Sequence, residues 1–357
     1  MMTAGKLPPI RMLALTLTGQ CNFRCRYCYA AGQEEHFMSL QTAVSAVRMA
    51  EEGGAFFVLQ FTGGEPLLNF PVIRGAVRYC EEKQLPVRFQ IQTNGSLLTR
   101  DTVRWLYRHG VAVGVSLDGR PSVNDRLRRS ADGSSAAAAA GRGISLLGSE
   151  GIGTGVTCVV TDDNAASLEG IADMAYFYGN VRQVGFDILR HQGRGVRLRA
   201  PSGRAMEEAL ERTWIRARLM ASAGGRRFRF AQMDRVRLLA EGKMHEFSHC
   251  YAMKGEAAFV DPSGGIYACS SLMGDPLFCL GHVSSGRDPD RTEKAGHLIA
   301  EAMEACRRCA DFHLCGGGCF SRWYSAGRAE RSEAECALKR FFIRKYEERN
   351  NREESSV

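Results

Sequence analysis

Cys21, Cys25 and Cys28 lie within "GQCNFRCRYCYAAG" (19–32), spaced by three residues and then two. A structural zinc ion takes four ligands and a disulfide takes two, so three thiols on one short loop complete neither. Iron–sulfur cubanes are held by cysteine thiolates, usually four. With three protein ligands one iron stays open, and an open metal position is where a substrate or cofactor binds. Three buried cysteines, or a zinc site completed from elsewhere in the chain, are the competing readings of the loop.

The compartment decides how the other cysteines are read. The chain has 357 residues, 13 of them cysteine, with 45% hydrophobic and 24% charged residues. That composition suits a globular protein with a real core, and the length predicts one large domain plus a smaller one. No run of about 18 apolar residues predicts a membrane span. The start lacks the apolar stretch and small-residue cleavage site of a signal peptide, so a cytoplasmic protein is expected. There a disulfide framework is disfavoured and metal or redox chemistry favoured. The net charge of +8 is spread over stretches such as "NDRLRRS" and "GRRFRFAQMDRVR". These read as solvated helix faces or as a basic groove for an acidic peptide. No aromatic-interleaved basic module points to nucleic acid.

Alternating elements must position the loop. Strand-like runs at 10–17, 55–61, 87–92, 111–117, 152–160 and 181–189 alternate with helical patterns. Ser39 serves as an N-cap and Gly53 as a helix stop in the first of these helices. Six alternations predict an α/β partial (β/α)6 barrel with a parallel sheet. In such folds the chemistry sits at the C-terminal ends of the strands, where a loop following the first strand would lie. The expected units are the barrel (8–200), a helical linker of two helices without strands (201–248), a cysteine-rich domain (249–345) and a frayed tail (346–357). Cys80 and Cys158 fall on a barrel helix and strand and read as small buried hydrophobes.

Cys-x3-Cys-x2-Cys after a first strand, with Tyr27 before the last cysteine, resembles the radical S-adenosylmethionine (SAM) superfamily. "TGGEP" (62–66) resembles its second motif, while "QTNGSLL" (92–98) and "SLDG" (116–119) resemble the ends of its third and fourth strands. The resemblance implies SAM on the open iron. It gives Tyr27, Gly63, Gly64, Glu65 and Ser116 as SAM contacts. Glycines permit close backbone approach and a carboxylate suits an ammonium. Cys250-x13-Gly264-x4-Cys269, then Cys306-x2-Cys309-x5-Cys315-x3-Cys319, then Cys336, resembles the SPASM extension with two further [4Fe-4S] clusters, making three. By that resemblance Cys306, Cys309, Cys315 and Cys336 hold one cluster, and Cys250, Cys269 and Cys319 the other. The second set lacks a fourth ligand. Either Cys279 supplies it or an iron stays open for a peptide thiolate. His249 and His313 flank these cysteines and are expected beside the clusters or at the surface rather than on iron.

The resemblance implies reductive cleavage of SAM to a 5′-deoxyadenosyl radical, which removes hydrogen from a substrate. "C-x4-G-D-x2-F-x-L-G-x-V" (269–283) is similar to maturases that crosslink ribosomally made peptides through thioether or carbon–carbon bonds. Sulfatase maturases, which make formylglycine, carry an aspartate where this chain has Ser270. The expected partners are a short precursor peptide and an electron donor such as flavodoxin or ferredoxin. About nine residues precede the first strand. A leader-binding domain is therefore not expected there, and a separate leader-binding protein or direct leader contact with the basic surface would take its place. An anaerobic sulfatase maturase forming formylglycine, a radical enzyme acting on a sugar alcohol and a non-catalytic zinc protein are the alternatives.

Overall fold

The computed structural model describes residues 7–224, 227–324 and 331–354. Six parallel strands run in sequence order: β1 (Met12–Thr16), β2 (Phe57–Thr62), β3 (Val87–Thr93), β4 (Ala112–Ser116), β5 (Thr154–Val160) and β6 (Val181–Ile188). The sheet is open and does not end at these strands. A two-residue strand, β7 (Arg229–Phe230), adds to β6. At the other edge β8 (Ala257–Val260) pairs parallel to β1, aligning Met12 with Ala257 and Leu15 with Val260. The antiparallel strands β9 (Gly265–Tyr267), β10 (Cys279–His282) and β11 (Gly286–Arg287) continue outward. The cysteine-rich region thus extends the same sheet.

The two faces of the sheet differ chemically. Leu13, Leu15, Leu59, Phe61, Ile91, Val115, Cys158 and Val160 are buried in the core. Helices cover this face, among them Leu40–Glu51, capped by Ser39, and Phe70–Glu82, which buries Cys80. The opposite face alternates with it, as strand geometry requires. It carries Gln60, Gln90, Gln92, Ser116 and Thr157, all half-buried. Gln90 Nε2 donates to Gln60 Oε1 at 3.0 Å, and Gln92 Nε2 to Ser116 Oγ at 3.0 Å. Gln92 lies over Gly114, where an added Cβ would meet its Oε1 at 2.6 Å. Polar, hydrogen-bonded side chains on this sheet face suit a polar ligand better than a helix layer.

The segment expected as two helices without strands contains Gly203–Ser222 and Ala231–Ala240 but also β7 between them. Trp214 and Phe230 stack at 5.7 Å between ring centroids, and Phe230 meets Phe342 at 5.4 Å. These rings tie the segment to the C-terminal helix. That helix runs Glu333–Glu354, past residue 346 where the charged sequence predicts fraying. Phe341, Phe342 and Ile343 are buried on it, so packing overrides its polar composition. Residues 355–357 lie outside the described residues. Among the described residues no helix is long and apolar enough to cross a membrane.

Candidate functional site

The loop after β1 brings Cys21, Cys25 and Cys28 together. Burial raises the Cys21 thiol to about 11, and Glu65 and Cys28 add to the rise. Cys25 is raised to about 12 by burial, against a lowering from Arg128, with Cys28 and Cys21 again raising it. The Cys21 and Cys25 thiols, with Cys28 within electrostatic reach of both, hold their protons until a positive metal centre displaces them. The loop is braced by an isolated bridge between Phe23 and Ser130 and by Arg26 N donating to Leu127 O at 2.8 Å.

The motif after β2 is laid against the start of this loop. Gly64 N donates to Thr18 O at 2.8 Å and Glu65 N to Gln20 O at 2.9 Å. Gly63 has φ +132, and a Cβ there would stand 2.4 Å from Thr18 O; at Gly64 it would stand 2.2 Å from Gln20 O. Only glycine fits both positions. Glu65 is fully buried. Its Oε1 accepts from Leu67 N at 3.1 Å and Thr93 Oγ1 at 2.7 Å, and its Oε2 from Asn94 N at 2.8 Å. A carboxylate has about four lone-pair sites, so one position on Oε2 stays free. Burial raises its pKa against the pull of those donors. Ser116 holds Gln92 on the polar sheet face.

Tyr27 is buried, and its hydroxyl donates to Asp118 Oδ2. Asp118 also pairs with Arg128, whose Nε is 2.9 Å from Oδ2, and accepts Val159 N at 2.9 Å. The Arg128 guanidinium sits 5.2 Å from the Tyr27 ring centroid. The expected cofactor contact at Tyr27 is therefore restricted to its ring and backbone. No spacing or motif in the sequence marks Arg128, and Asp118 is signalled only by its place in "SLDG". Asn94 directs its Nδ2 toward Cys21 Sγ at 3.9 Å and donates to Asn22 Oδ1 at 2.9 Å.

Six of the C-terminal cysteines fall within electrostatic reach of one another in two groups. Cys250, raised to about 12 chiefly by burial, feels Cys319 and Cys269; Cys269, raised by burial, feels Cys319. Cys336, raised to about 11 chiefly by burial, feels Cys315 and Cys306. Cys309 follows Cys306 by one turn, with its N–H on Cys306 O at 3.0 Å, while its thiol faces Asp311 and Arg340. Cys279 joins neither group: its thiol turns back to Gly281 O along its own hairpin. His249 lies between Arg235 Nη2 at 2.6 Å and Gly318 O at 3.0 Å, and His313 is exposed beside Ala310 O. Among the described residues no three Cys, His, Asp or Glu side chains converge as a single-ion site. A zinc ion needs its donors about 2–2.3 Å from one point, whereas a cubane spreads its thiolates over separate irons.

A buried charge chain joins the two regions. Arg190 stands over the Tyr29 ring at 5.3 Å and pairs with Asp187. Asp187 also pairs with Arg322, which reaches Glu335 at 2.6 Å, and Glu335 accepts Cys319 N at 3.2 Å. Gln192 Nε2 donates to Ser271 O at 2.6 Å and Gln33 Nε2 to Ser270 O at 3.4 Å, tying the segment after Cys269 to the first loop. Arg235 is largely buried and makes no ion pair with a carboxylate among the described residues, yet Cys315, Cys319 and Cys250 lie within its electrostatic reach. The Glu335 carboxylate also acts on it, and an anionic thiolate–iron centre at these cysteines would add to that compensation. The thiols of the first loop, the glycine cradle and the polar sheet face thus suit a cubane and SAM.

A cavity of about 320 Å³ opens between these regions, lined in part by Thr16, Tyr29, Gln192, Tyr267 and Met273. Its lining holds Glu34 and Asp261 and neither Lys nor Arg. The basic groove expected from the net charge is not at this mouth. A larger groove of about 640 Å³ lies on the outer helices around Trp105 and Arg108, among none of the thiols.

Residues 15–175 match the model of the radical SAM superfamily. The chain is 27% identical over 346 residues to the serine-type anaerobic sulfatase-maturating enzyme of Klebsiella aerogenes, covering 89% of this chain and 82% of that protein. It is 26% identical over 328 residues to the mycofactocin maturase MftC of Mycolicibacterium smegmatis, covering 88% and 79%. A solved structure of native anSMEcpe with bound AdoMet and Cp18Cys peptide superposes with a TM-score of 0.77, at 22% identity, over 95% of this chain and 96% of that one.

Proposed function

We propose that this chain, an enzyme of the radical SAM superfamily, removes hydrogen from a ribosomally made precursor peptide and installs a thioether or carbon–carbon crosslink. The cavity between the first cysteine loop and the segment after Cys269 carries this reading, because a peptide side chain entering it would adjoin both thiol regions. The likeness to a structure that holds a peptide together with AdoMet agrees with it.

In this reading Cys21, Cys25 and Cys28 hold one [4Fe-4S] cluster. Cys306, Cys309, Cys315 and Cys336 hold a second, and Cys250, Cys269 and Cys319 a third. The orientation of Cys279 along its own hairpin favours an open iron in that third cluster. When bound, SAM and the first cluster would supply hydrogen-abstracting radical chemistry, given one electron from a flavodoxin- or ferredoxin-type donor. The chain's own work is orientation and exclusion. Gly63 and Gly64 let the backbone approach SAM, and the free lone pair of Glu65 accepts its ammonium. Ser116 and Gln92 offer polar contacts on the sheet face, and Tyr27 walls the site. Gln33 and Gln192 hold the segment after Cys269 over the cavity and limit the entry of water.

Formylglycine formation is the second reading, favoured by the similarity to a sulfatase-maturating enzyme over most of both chains. Against it, the residue after Cys269 is Ser270, and the nearby Asp275 is engaged by Leu277 N and Tyr324 Oη. Anaerobic incubation with candidate precursor peptides, followed by tandem mass spectrometry, separates the two. Loss of two hydrogens, with fragmentation suppressed between two residues, supports a crosslink. A product that adds a hydrazide reagent is an aldehyde and supports formylglycine. Peptides unchanged in mass would refute both.

A further inference from the structure

The solvent side of the first cysteine loop is as structured as its inner side. On one flank Arg24 N donates to Arg129 O at 2.6 Å. On the other, Arg194 N donates to Cys28 O at 3.0 Å and its Nε to Cys25 O at 2.8 Å. Leu127 and Leu198 meet Tyr27 in one apolar cluster against which Cys25 packs. Arg126, Arg129, Arg197 and Arg199 lie close to those leucines in sequence and face solvent, as do Arg24 and Arg194, whereas Arg128 is buried.

These six arginines make no ion pair with a carboxylate among the described residues; Arg26 pairs with Asp163 at 2.7 Å. The other acids nearby are Asp125, Asp132 and Asp162. Asp125 is taken up by Ser135 and Ala137 N, and Asp132 by Ser130 and Ser134 N. Seven arginines against four aspartates leave this face positive. Val196, 60% exposed, adds an apolar contact within it. The cavity mouth on the inner side carries carboxylates instead. The two sides of the loop thus differ in sign.

We propose that the arginine belt around the first cysteine loop is the docking surface for an acidic one-electron donor protein. The proposal rests on the assignment of a reducible cluster to Cys21, Cys25 and Cys28. The belt covers the outer side of that loop, so a donor seated there approaches the cluster without entering the cavity. In the transfer the donor's flavin or iron–sulfur centre loses one electron and the cluster gains it; no bond forms or breaks. Electron-transfer contacts are small and transient, and opposite charge steers them, with strong dependence on salt. An acidic precursor leader is the other class of partner that such a surface could attract.

The test uses the cluster-loaded full chain and an acidic flavodoxin with its reductase. In the charge-reversed variant Arg129→Glu/Arg197→Glu only exposed side chains change, and equal iron content and circular dichroism establish that it folds. Flavodoxin binding, followed by flavin fluorescence at low salt, is expected to weaken at least tenfold and to lose most of its salt dependence. 5′-Deoxyadenosine formation driven by reduced flavodoxin falls at least tenfold, while the dithionite-driven rate stays at the wild-type value. The neutral variant Arg129→Gln/Arg197→Gln falls between. Unchanged flavodoxin binding and turnover would overturn the proposal, as would a loss confined to binding of the precursor leader. A wild-type protein that forms no 5′-deoxyadenosine even with dithionite would instead overturn the cluster assignment, and this proposal with it.

Discussion

Glu335 is the hinge of the buried charge chain, and exchanging it for glutamine tests how much that chain contributes. Its carboxylate lies 2.6 Å from Arg322 Nη1 and 3.4 Å from Lys339 Nζ, and it accepts Cys319 N at 3.2 Å. Burial pushes its pKa up, but Arg322, Lys339 and the Cys319 N–H outweigh burial and hold it at about 2, below the ordinary 4.5. That fall, at about 1.4 kcal/mol per pH unit, amounts to about 3 kcal/mol at neutral pH. It agrees with the roughly 3–5 kcal/mol lost when one partner of a buried ion pair is removed. Because the folded pKa is depressed, the contribution is complete above about pH 4.5 and is lost as the pH falls toward about 2. Glu335→Gln keeps the shape but leaves Lys339 without a carboxylate and Arg322 with Asp187 alone. Anaerobic urea unfolding should show the variant about 3 kcal/mol less stable at pH 7, with the gap shrinking to roughly half by pH 3. A variant within about 1 kcal/mol of wild type at pH 7, or a gap that does not shrink on acidification, would refute the reasoning.

Three other outcomes are expected. Gly64→Ala places a Cβ 2.2 Å from Gln20 O, a backbone atom that cannot swing away; iron analysis should show the loss of about one cubane, roughly four irons per chain. Asp118→Asn leaves the buried Arg128 without its carboxylate. It should cost about 3–5 kcal/mol in thermal or urea unfolding, with the Tyr27 side of the loop loosened. Cys279→Ser should leave iron content and cluster absorbance at wild-type values, since its thiol faces its own hairpin.

The parallel strands were legible because each pairs a short apolar run with turn residues and a helix, all local signals. The loop of Cys21, Cys25 and Cys28 was legible for the same reason, since spacing within eight residues fixes which thiols can meet. The pairing of β8 with β1 was not legible. It joins residues 12–15 to 257–260, and nothing in either run specifies the other. β7 is only two residues long and carries no periodicity. The polar sheet face was visible in principle as the alternation of Gln90 and Gln92 in "VRFQIQ", but a lone glutamine in a strand usually faces solvent. Only the register beside Gln60 and Ser116 shows a shared face. The chain Arg190–Asp187–Arg322–Glu335 links side chains more than 130 positions apart, and charge pairing over such separations leaves no trace in composition.

The most direct test of the central claim is anaerobic formation of 5′-deoxyadenosine from SAM with dithionite, comparing the reconstituted protein with its Cys25→Ala variant. The wild type should form the product and bind roughly four irons per chain more than the variant. The variant should form none, while still binding iron at its C-terminal cysteines. Continued 5′-deoxyadenosine formation by the variant would contradict the assignment of a SAM-cleaving cluster to Cys21, Cys25 and Cys28.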